Sequence, residues 1–333
     1  MALKIGVVGA GGIARGAHFP NLVKKQQSGE IEFAGISDVN GEAAAAAASE
    51  FGAARSMTDY RELLPLVDAI MICIPTHLHA EIAVAALREG KSVFCEKPLA
   101  RTMEQADAMI EAQGSAALQV GFVRHFDAEW LAIRDAIQSG KIGKPVIWRH
   151  ATAGFGPGAA WFNEDDKGGG PFLDGAIHNM DFALNLFGPA KRVFCNGRAM
   201  RQTSTAIDTG TVSIAFESDD ELLLSWSWGL PATTGGDPLF DFLGSQGTIT
   251  WPAENPTDTA GNKKFHIHLE SGREEIFYPA NAIEVAFTEQ IDEFIAAAQG
   301  KITPRADGLK ARETLRLALA VLQSGRSGQI VEL

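Results

Sequence analysis

The apolar run Leu3–Val8 is followed at once by Gly9-Ala10-Gly11-Gly12-Ile13-Ala14. A G-x-G-x-x-A segment directly after a strand constrains this chain more than any other feature. It specifies a tight turn at Gly9, bare backbone at Gly11, and a helix that packs on the strand through a small residue, Ala14. Such a turn aims a helix N-terminus, with its unpaired N–H groups, at a pyrophosphate. Glycines also mark ordinary turns, so the next segment matters. Ile31–Asp38 reads as a second strand ending in an acid, 24 residues after Ala14, and the polar stretch Lys24–Glu30 accounts for the longer spacing. A carboxylate there accepts hydrogen bonds from the adenosine ribose hydroxyls and repels a 2′-phosphate. Gly9, Gly11, Gly12, Ile13 and Asp38 are therefore candidate cofactor contacts, with NAD preferred over NADP.

The alternation continues. Strands are expected at 3–8, 31–37, 69–74, 91–95 and 117–122, with helices at about 12–27, 41–51, 79–89 and 103–113. Uniformly apolar strands suit a parallel sheet covered on both faces. After about residue 145 the pattern changes to strands at 146–153, 191–200, 209–217, 221–229, 239–243, 247–251, 264–269 and 273–278. Helices are expected at 127–139, 174–187, 283–298 and 307–323. The fold class is α/β: an N-terminal Rossmann domain with a doubly wound parallel sheet, residues 1–123, then a C-terminal α+β domain, residues 124–333, with a large, mostly antiparallel open-faced sheet. Trp226, Trp228, Phe240 and Phe242 supply more aromatic surface than one sheet face needs. The other face is therefore expected to serve a homodimer or homotetramer contact.

A length of 333 residues suits two domains, and a net charge of −12 without a basic cluster argues against a nucleic-acid partner. No apolar run reaches membrane-spanning length, and strand one begins too early to leave room for a signal peptide. Cys73, Cys95 and Cys195 fit neither a disulfide framework nor a metal spacing. Buried, reduced thiols and a cytoplasmic location are expected.

Three further clusters carry chemistry. Pro75-Thr76-His77-Leu78-His79 follows the strand at 69–74, at the sheet edge where doubly wound folds bind ligands. Thr76 or a histidine there could equally cap the next helix. Cys95-Glu96-Lys97-Pro98 ends another strand and directs a lysine toward the same crevice, although Glu96 and Lys97 could form a plain surface ion pair. A sharp turn at Lys97-Pro98 suits a cis peptide. The third cluster is Gly168-Gly-Gly-Pro-Phe-Leu-Asp174-Gly-Ala-Ile-His178-Asn179. Asp174 and His178 are four apart, one helical turn, and could handle a proton. No third or fourth ligand stands at a recognisable spacing, so no metal is expected. A capping aspartate and a half-buried histidine are the structural alternative.

Together these clusters resemble the glucose–fructose oxidoreductase/inositol dehydrogenase (Gfo/Idh/MocA) family. The matching residues are the Gly9–Ala14 turn, Glu96-Lys97-Pro98, Gly121-Phe122-Val123-Arg124-His125-Phe126, Gly168-Gly169-Gly170 with Asp174 and His178, and Asp307-Gly308. They span nearly the whole chain, in order. The resemblance implies NAD(P)-dependent hydride transfer on a sugar or cyclitol, with Lys97, Asp174 and His178 converging on the reacting hydroxyl. Two departures are Gly175, where the family more often places its glycine one position later, and His125, where an arginine is common.

The chemistry agrees. Removing a hydride from an alcohol carbon requires a base for the hydroxyl proton. His178 supplies the base, Lys97 holds the developing oxyanion, and Asp174 orients a neighbouring hydroxyl. Pro75, Thr76, His79, Glu96 and Lys97 are further candidate cofactor contacts. Arg124, His125, Trp161 and Asn179 are candidate substrate contacts, with Asp127, His150 and Asp237 in a wider set. The loop at 154–160 is a lid or a simple turn, and His266 and His268 read as structural. An NADP-dependent carbonyl reductase, an NAD-dependent redox-elimination glycosidase and a non-enzymatic sensor remain alternatives.

Overall fold

The computed structural model describes residues 2–251 and 257–333. The chain divides into two compact units. The first holds the chain up to Phe126 together with Glu284–Glu313; the second holds Asp127–Ile283 and Thr314–Leu333.

In the first unit, six strands are β1 (Leu3–Val8), β2 (Ile31–Ser37), β3 (Ser56–Met57), β4 (Ala69–Ile72), β5 (Ser92–Cys95) and β6 (Leu118–Val120). They form one sheet in the order β3-β2-β1-β4-β5-β6, parallel throughout. The two-residue β3 is too short to show a hydrophobic period in the sequence. The intervening helices are α1 (Phe19–Gln27), α2 (Gly41–Phe51), α3 (His79–Arg88) and α4 (Met103–Ala112). α1 is entered through a π turn, Ala14–His18. Asn40 caps α2 by accepting from the Ala43 N–H at 3.1 Å, and Gly52 closes it at φ +68°. The alanine run in α2 has a packing reason: Ala44 and Ala47 are fully buried in the core with Ile5, Val7 and Phe33.

This unit is discontinuous, which a single cut after residue 123 does not describe. The helix α7 (Ala282–Ala298) brings Ile291, Phe294 and Ile295 into the same core. The Phe294 ring lies 5.7 Å from that of Phe94. Val120 N–H donates to the Ala306 carbonyl at 2.9 Å, extending the β6 edge. Apolar periodicity located α7 but could not say which core it fills.

Among the described residues the second unit is built on nine strands: β7 (Ile147–Ala153), β8 (Ala190–Arg198), β9 (Thr209–Phe216), β10 (Glu221–Ser227), β11 (Gly236–Leu243), β12 (Gly247–Thr250), β13 (Lys263–Leu269), β14 (Gly272–Tyr278) and β15 (Val331–Glu332). Their order is β14-β13-β12-β11-β7-β10-β9-β8-β15, with β7 and β10 parallel and the other described neighbours antiparallel. The remaining helices are α5 (Ala128–Gln138), α6 (Ile177–Phe187) and α8 (Gly308–Ser327).

Register corrects the expected use of the aromatic residues. Leu222 pairs with Trp148, Leu224 with His150, and Trp226 with Thr152; Phe240 and Phe242 pair with His150 and Trp148. Paired residues share a face, so Trp226, Phe240 and Phe242 lie on one face with Trp148 and His150. That face is the covered one. Trp148 contacts Trp130 of α5 and Phe182 of α6 at ring separations of 5.8 and 5.7 Å. Trp228 is likewise buried, edge-on to Phe162. The opposite face carries the Arg149–Asp241 and Lys264–Glu275 ion pairs and the Ser213–Glu221 hydrogen bond. The aromatic surplus thus fills the core and gives no argument for a subunit contact.

No helix among the described residues is long and apolar enough to cross a membrane. Cys73, Cys95 and Cys195 are free and buried, and burial pushes the Cys195 thiol up to about 11.

Because Phe294 is fully buried in the first unit's core, Phe294→Ala should destabilise that unit by about 3–5 kcal/mol. Hydrogen exchange should report the loss in β1 and β5. Protection lost only in β7–β14 would contradict the assignment of α7.

Candidate active site

Gly9 sits where β1, β2 and β4 crowd together. Its φ is +104°, and a Cβ there would lie 2.2 Å from the Cys73 carbonyl oxygen. Its N–H donates to the Ser37 carbonyl at 2.7 Å. Only glycine fits. Gly11 and Gly12 differ: both are exposed, and a Cβ on either would meet no atom within 4 Å. Packing does not require them, but they leave backbone uncovered at the start of a helix, where N–H groups lack intrahelical acceptors. That surface fits a pyrophosphate. Ala14 is fully buried against the sheet core.

Asp38 follows β2 and lies against this turn. Its Oδ2 accepts the Ala10 N–H at 2.8 Å and its Oδ1 the Asn40 N–H at 2.9 Å. Each oxygen keeps lone-pair capacity for a hydroxyl donor. Arg15 is a neighbour that spacing did not single out. Its Nε donates to the Ala10 carbonyl at 3.2 Å, and its Nη1 meets Glu50 at 2.6 Å.

The loops after β4 and β5 leave the same edge of the sheet. Thr76 is buried in a 3-10 turn with Pro75 just before it. His79, a candidate cofactor contact, is buried at the start of α3, with Nδ1 2.8 Å from the Pro98 carbonyl and Nε2 2.9 Å from the Ile74 carbonyl. Burial holds its pKa below the usual imidazole value despite both carbonyls. The ring ties the Pro75–Thr76 loop to the one that carries Lys97. Lys97 is half-buried, and its bond to Pro98 is cis.

Glu96 is not a surface ion-pair partner. It is 6% exposed, and its Oε1 lies 2.7 Å from Nε2 of the fully buried His18. Burial opposes its ionisation, but the His18 bond and the Lys97 charge outweigh it and hold the carboxyl below its usual value. His18 escaped the sequence reading because nothing local links it to a residue 78 positions away. Arg124 and His125 lie half-buried in a 3-10 turn, with the His125 carbonyl accepting from Arg305 Nη1 at 3.0 Å.

In the second unit, Gly168 and Gly170 are packing glycines. A Cβ at Gly168 would lie 2.5 Å from Phe162 Cα, and one at Gly170 2.6 Å from the Ile207 carbonyl oxygen. α6 begins three residues later than expected, so Asp174 stands in the preceding turn and His178 in the first helical turn, both half-buried. Gly175 faces Trp226: a Cβ would lie 2.8 Å from that ring and 3.3 Å from Trp228. The indoles explain why glycine stands beside Asp174 here. Asn179 is fully buried. Trp161 stacks on Phe162 at 3.7 Å, and His150 stacks on Trp226 at 5.4 Å. Asp127 caps α5 through the Glu129 N–H at 2.9 Å, while Asp237 is exposed on β11. The 154–160 loop is tied by Arg201, whose Nη2 donates to the carbonyls of Phe155 and Trp228 at 2.5 Å each. His268 Nε2 contacts Thr250 Oγ1 at 3.0 Å, and His266 approaches Glu275 at 3.4 Å.

Known proteins share this two-part fold. Residues 3–122 match an oxidoreductase family with an NAD-binding Rossmann fold, and residues 130–250 match the GFO/IDH/MocA C-terminal domain. The chain is 29% identical to myo-inositol 2-dehydrogenase of Thermotoga maritima, covering 99% of this chain and 98% of that one. It is 30% identical to 1,5-anhydro-D-fructose reductase of Ensifer adhaerens, covering 98% of each. Among solved structures, a probable dehydrogenase from Thermotoga maritima superposes with a TM-score of 0.79 at 27% identity, covering 99% of both chains. A levoglucosan dehydrogenase in complex with NADH and levoglucosan shares the fold, with a TM-score of 0.84 at 23% identity, covering 100% of this chain and 99% of the other. The chain belongs to the GFO/IDH/MocA family of NAD-binding oxidoreductases.

Proposed function

We propose that this oxidoreductase transfers a hydride between a secondary alcohol or hemiacetal of a sugar or cyclitol and NAD, and that Lys97, Asp174 and His178 act on the reacting hydroxyl. The observation that carries the reading is the Asp38 carboxylate held against the glycine turn, within full-length relatives named for inositol and anhydro-sugar substrates. Asp38 accepts hydroxyl donors and repels a 2′-phosphate, and the neighbouring Arg15 is committed to Glu50. NAD bound at this turn supplies the hydride acceptor.

The protein's part is to move the proton and hold the oxygen. His178 takes the hydroxyl proton as an imidazole base. The Lys97 ammonium stabilises negative charge on the oxygen. Asp174 accepts from an adjacent hydroxyl and fixes the orientation of the ring. Arg124, His125, Trp161 and Asn179 are proposed to contact the remaining hydroxyls and the apolar ring face. In reverse, the same groups donate to a carbonyl.

Initial rates with inositols and anhydro-sugars, read from NADH absorbance, should show NAD preferred over NADP. Asp38→Ser with Val39→Arg should shift that preference toward NADP. An unmodified protein that uses NADP at least as well would overturn the role given to Asp38.

Lys97→Ala and His178→Ala should each lower kcat by about 10²–10⁴, with NADH affinity by fluorescence titration intact. If these side chains only pack or cap, the variants lose thermal stability and keep their specific activity. Near-normal turnover in either variant would end the proposed mechanism.

A further inference from the structure

The buried pair of His18 and Glu96 carries no proton- or hydride-transfer step in the proposed scheme. His18 is the last residue of the π turn Ala14–His18, in the helix that begins at the glycine turn. A π turn inserts a residue into the helix and rotates the downstream residues by about 100° relative to an uninterrupted α-helix. Here it delivers a histidine to the end of β5. The imidazole is fixed edge-on by Phe94 at 5.2 Å and Phe287 at 6.0 Å. Its Nδ1 is buried without a hydrogen-bond partner. The tautomer that leaves only a lone pair there puts the proton on Nε2, facing Glu96 Oε1 at 2.7 Å.

The other carboxylate oxygen reaches Lys97. Glu96 Oε2 accepts the Lys97 backbone N–H at 3.2 Å. Gly121 leaves room for it, since a Cβ there would lie 2.9 Å from that oxygen. A buried carboxylate is costly unless paired, and an apolar side chain of similar size would fill this space without that cost. The charge is kept where it contacts the backbone of the residue proposed to hold the reacting oxygen.

We propose that His18 is a positioning residue for Lys97: acting through Glu96, it fixes the Lys97 backbone to the helix that follows the glycine turn. The inference rests on the role proposed for Lys97, and its test separates the two.

The test compares His18→Leu, His18→Gln, Glu96→Gln and Lys97→Ala. Turnover on the most active alcohol of the panel is counted per NADH-binding site, so misfolded protein does not enter. In the cofactor-free protein, the acylation rate of Lys97 by an amine reagent is measured against exposed Lys141 by peptide mass spectrometry. His18→Leu should lower kcat by about 10²-fold, as misplacement by ~1 Å does, with NADH affinity unchanged and the Lys97 acylation rate altered. His18→Gln, whose amide can donate to the same oxygen, should restore most of both. If His18→Leu does not fold, Glu96→Gln keeps the volume, removes the charge, and should show the same two changes.

Wild-type turnover and acylation in a folded His18→Leu or Glu96→Gln protein would overturn the inference. So would a His18→Gln protein as impaired as His18→Leu, because the donor would then be irrelevant. Wild-type turnover in Lys97→Ala would instead overturn the reading of Lys97 itself.

Discussion

The first unit depends on one crowded backbone passage. At Gly9 the chain leaves β1 between β2 and β4, with its N–H on the Ser37 carbonyl and its α-carbon against the Cys73 carbonyl. No side chain fits that space. The sheet order β3-β2-β1-β4-β5-β6 reverses direction at this strand, and a reversal opens a crevice beyond the carboxyl ends of the strands. Asp38, Thr76 and Lys97 follow β2, β4 and β5 and so emerge along the same edge. One steric constraint thereby sets the position of the phosphate-binding turn and of the loops around it.

The second unit solves a different problem. Its sheet presents an aromatic face to α5 and α6 and an ion-paired face on the other side. The large rings occupy volume that elsewhere requires small partners. Trp226 lies over Gly175, and a Cβ at Gly156 would come within 2.5 Å of Trp228. The glycine beside Asp174 is thus the complement of an indole from β10, and the turn that carries Asp174 is shaped by the sheet beneath it. Aromatic residues counted along the sequence looked like two faces' worth; register parity places them on one.

How much the sequence discloses depends on the range of each interaction. Strand and helix periods and the glycine turn with its acidic partner are local or nearly so, and the fold class was legible from them. Membership of Glu284–Glu313 in the first unit was not, because an amphipathic helix records that it has an apolar face but not which core receives it. Asp38 was legible because the strand–helix–strand unit fixes its distance from Gly9. The Arg15–Glu50 pair and the His79 bridge were not, since the first depends on how two helices face each other and the second on where two loops stop.

Buried carboxylates sharpen the distinction between structure and function. Asp208 and Asp220 are both fully buried; Asp208 is satisfied by two backbone N–H groups and the Thr209 hydroxyl, Asp220 by a backbone N–H, the Ser218 hydroxyl and the Lys144 ammonium. Asp208 accepts from Met200 and Arg201 at 2.8 and 2.9 Å, and Asp220 accepts from Val146 at 2.6 Å. Each joins segments of the second unit, and no candidate site residue is among its side-chain partners. Glu96 is satisfied instead by an imidazole from a distant helix, in an apolar surround of Phe94 and Phe287, while its second oxygen reaches the next residue's backbone. A charge kept in a dry space by a dedicated donor, one residue from a lysine at the ligand-binding edge, is better explained by the need to hold that lysine in place.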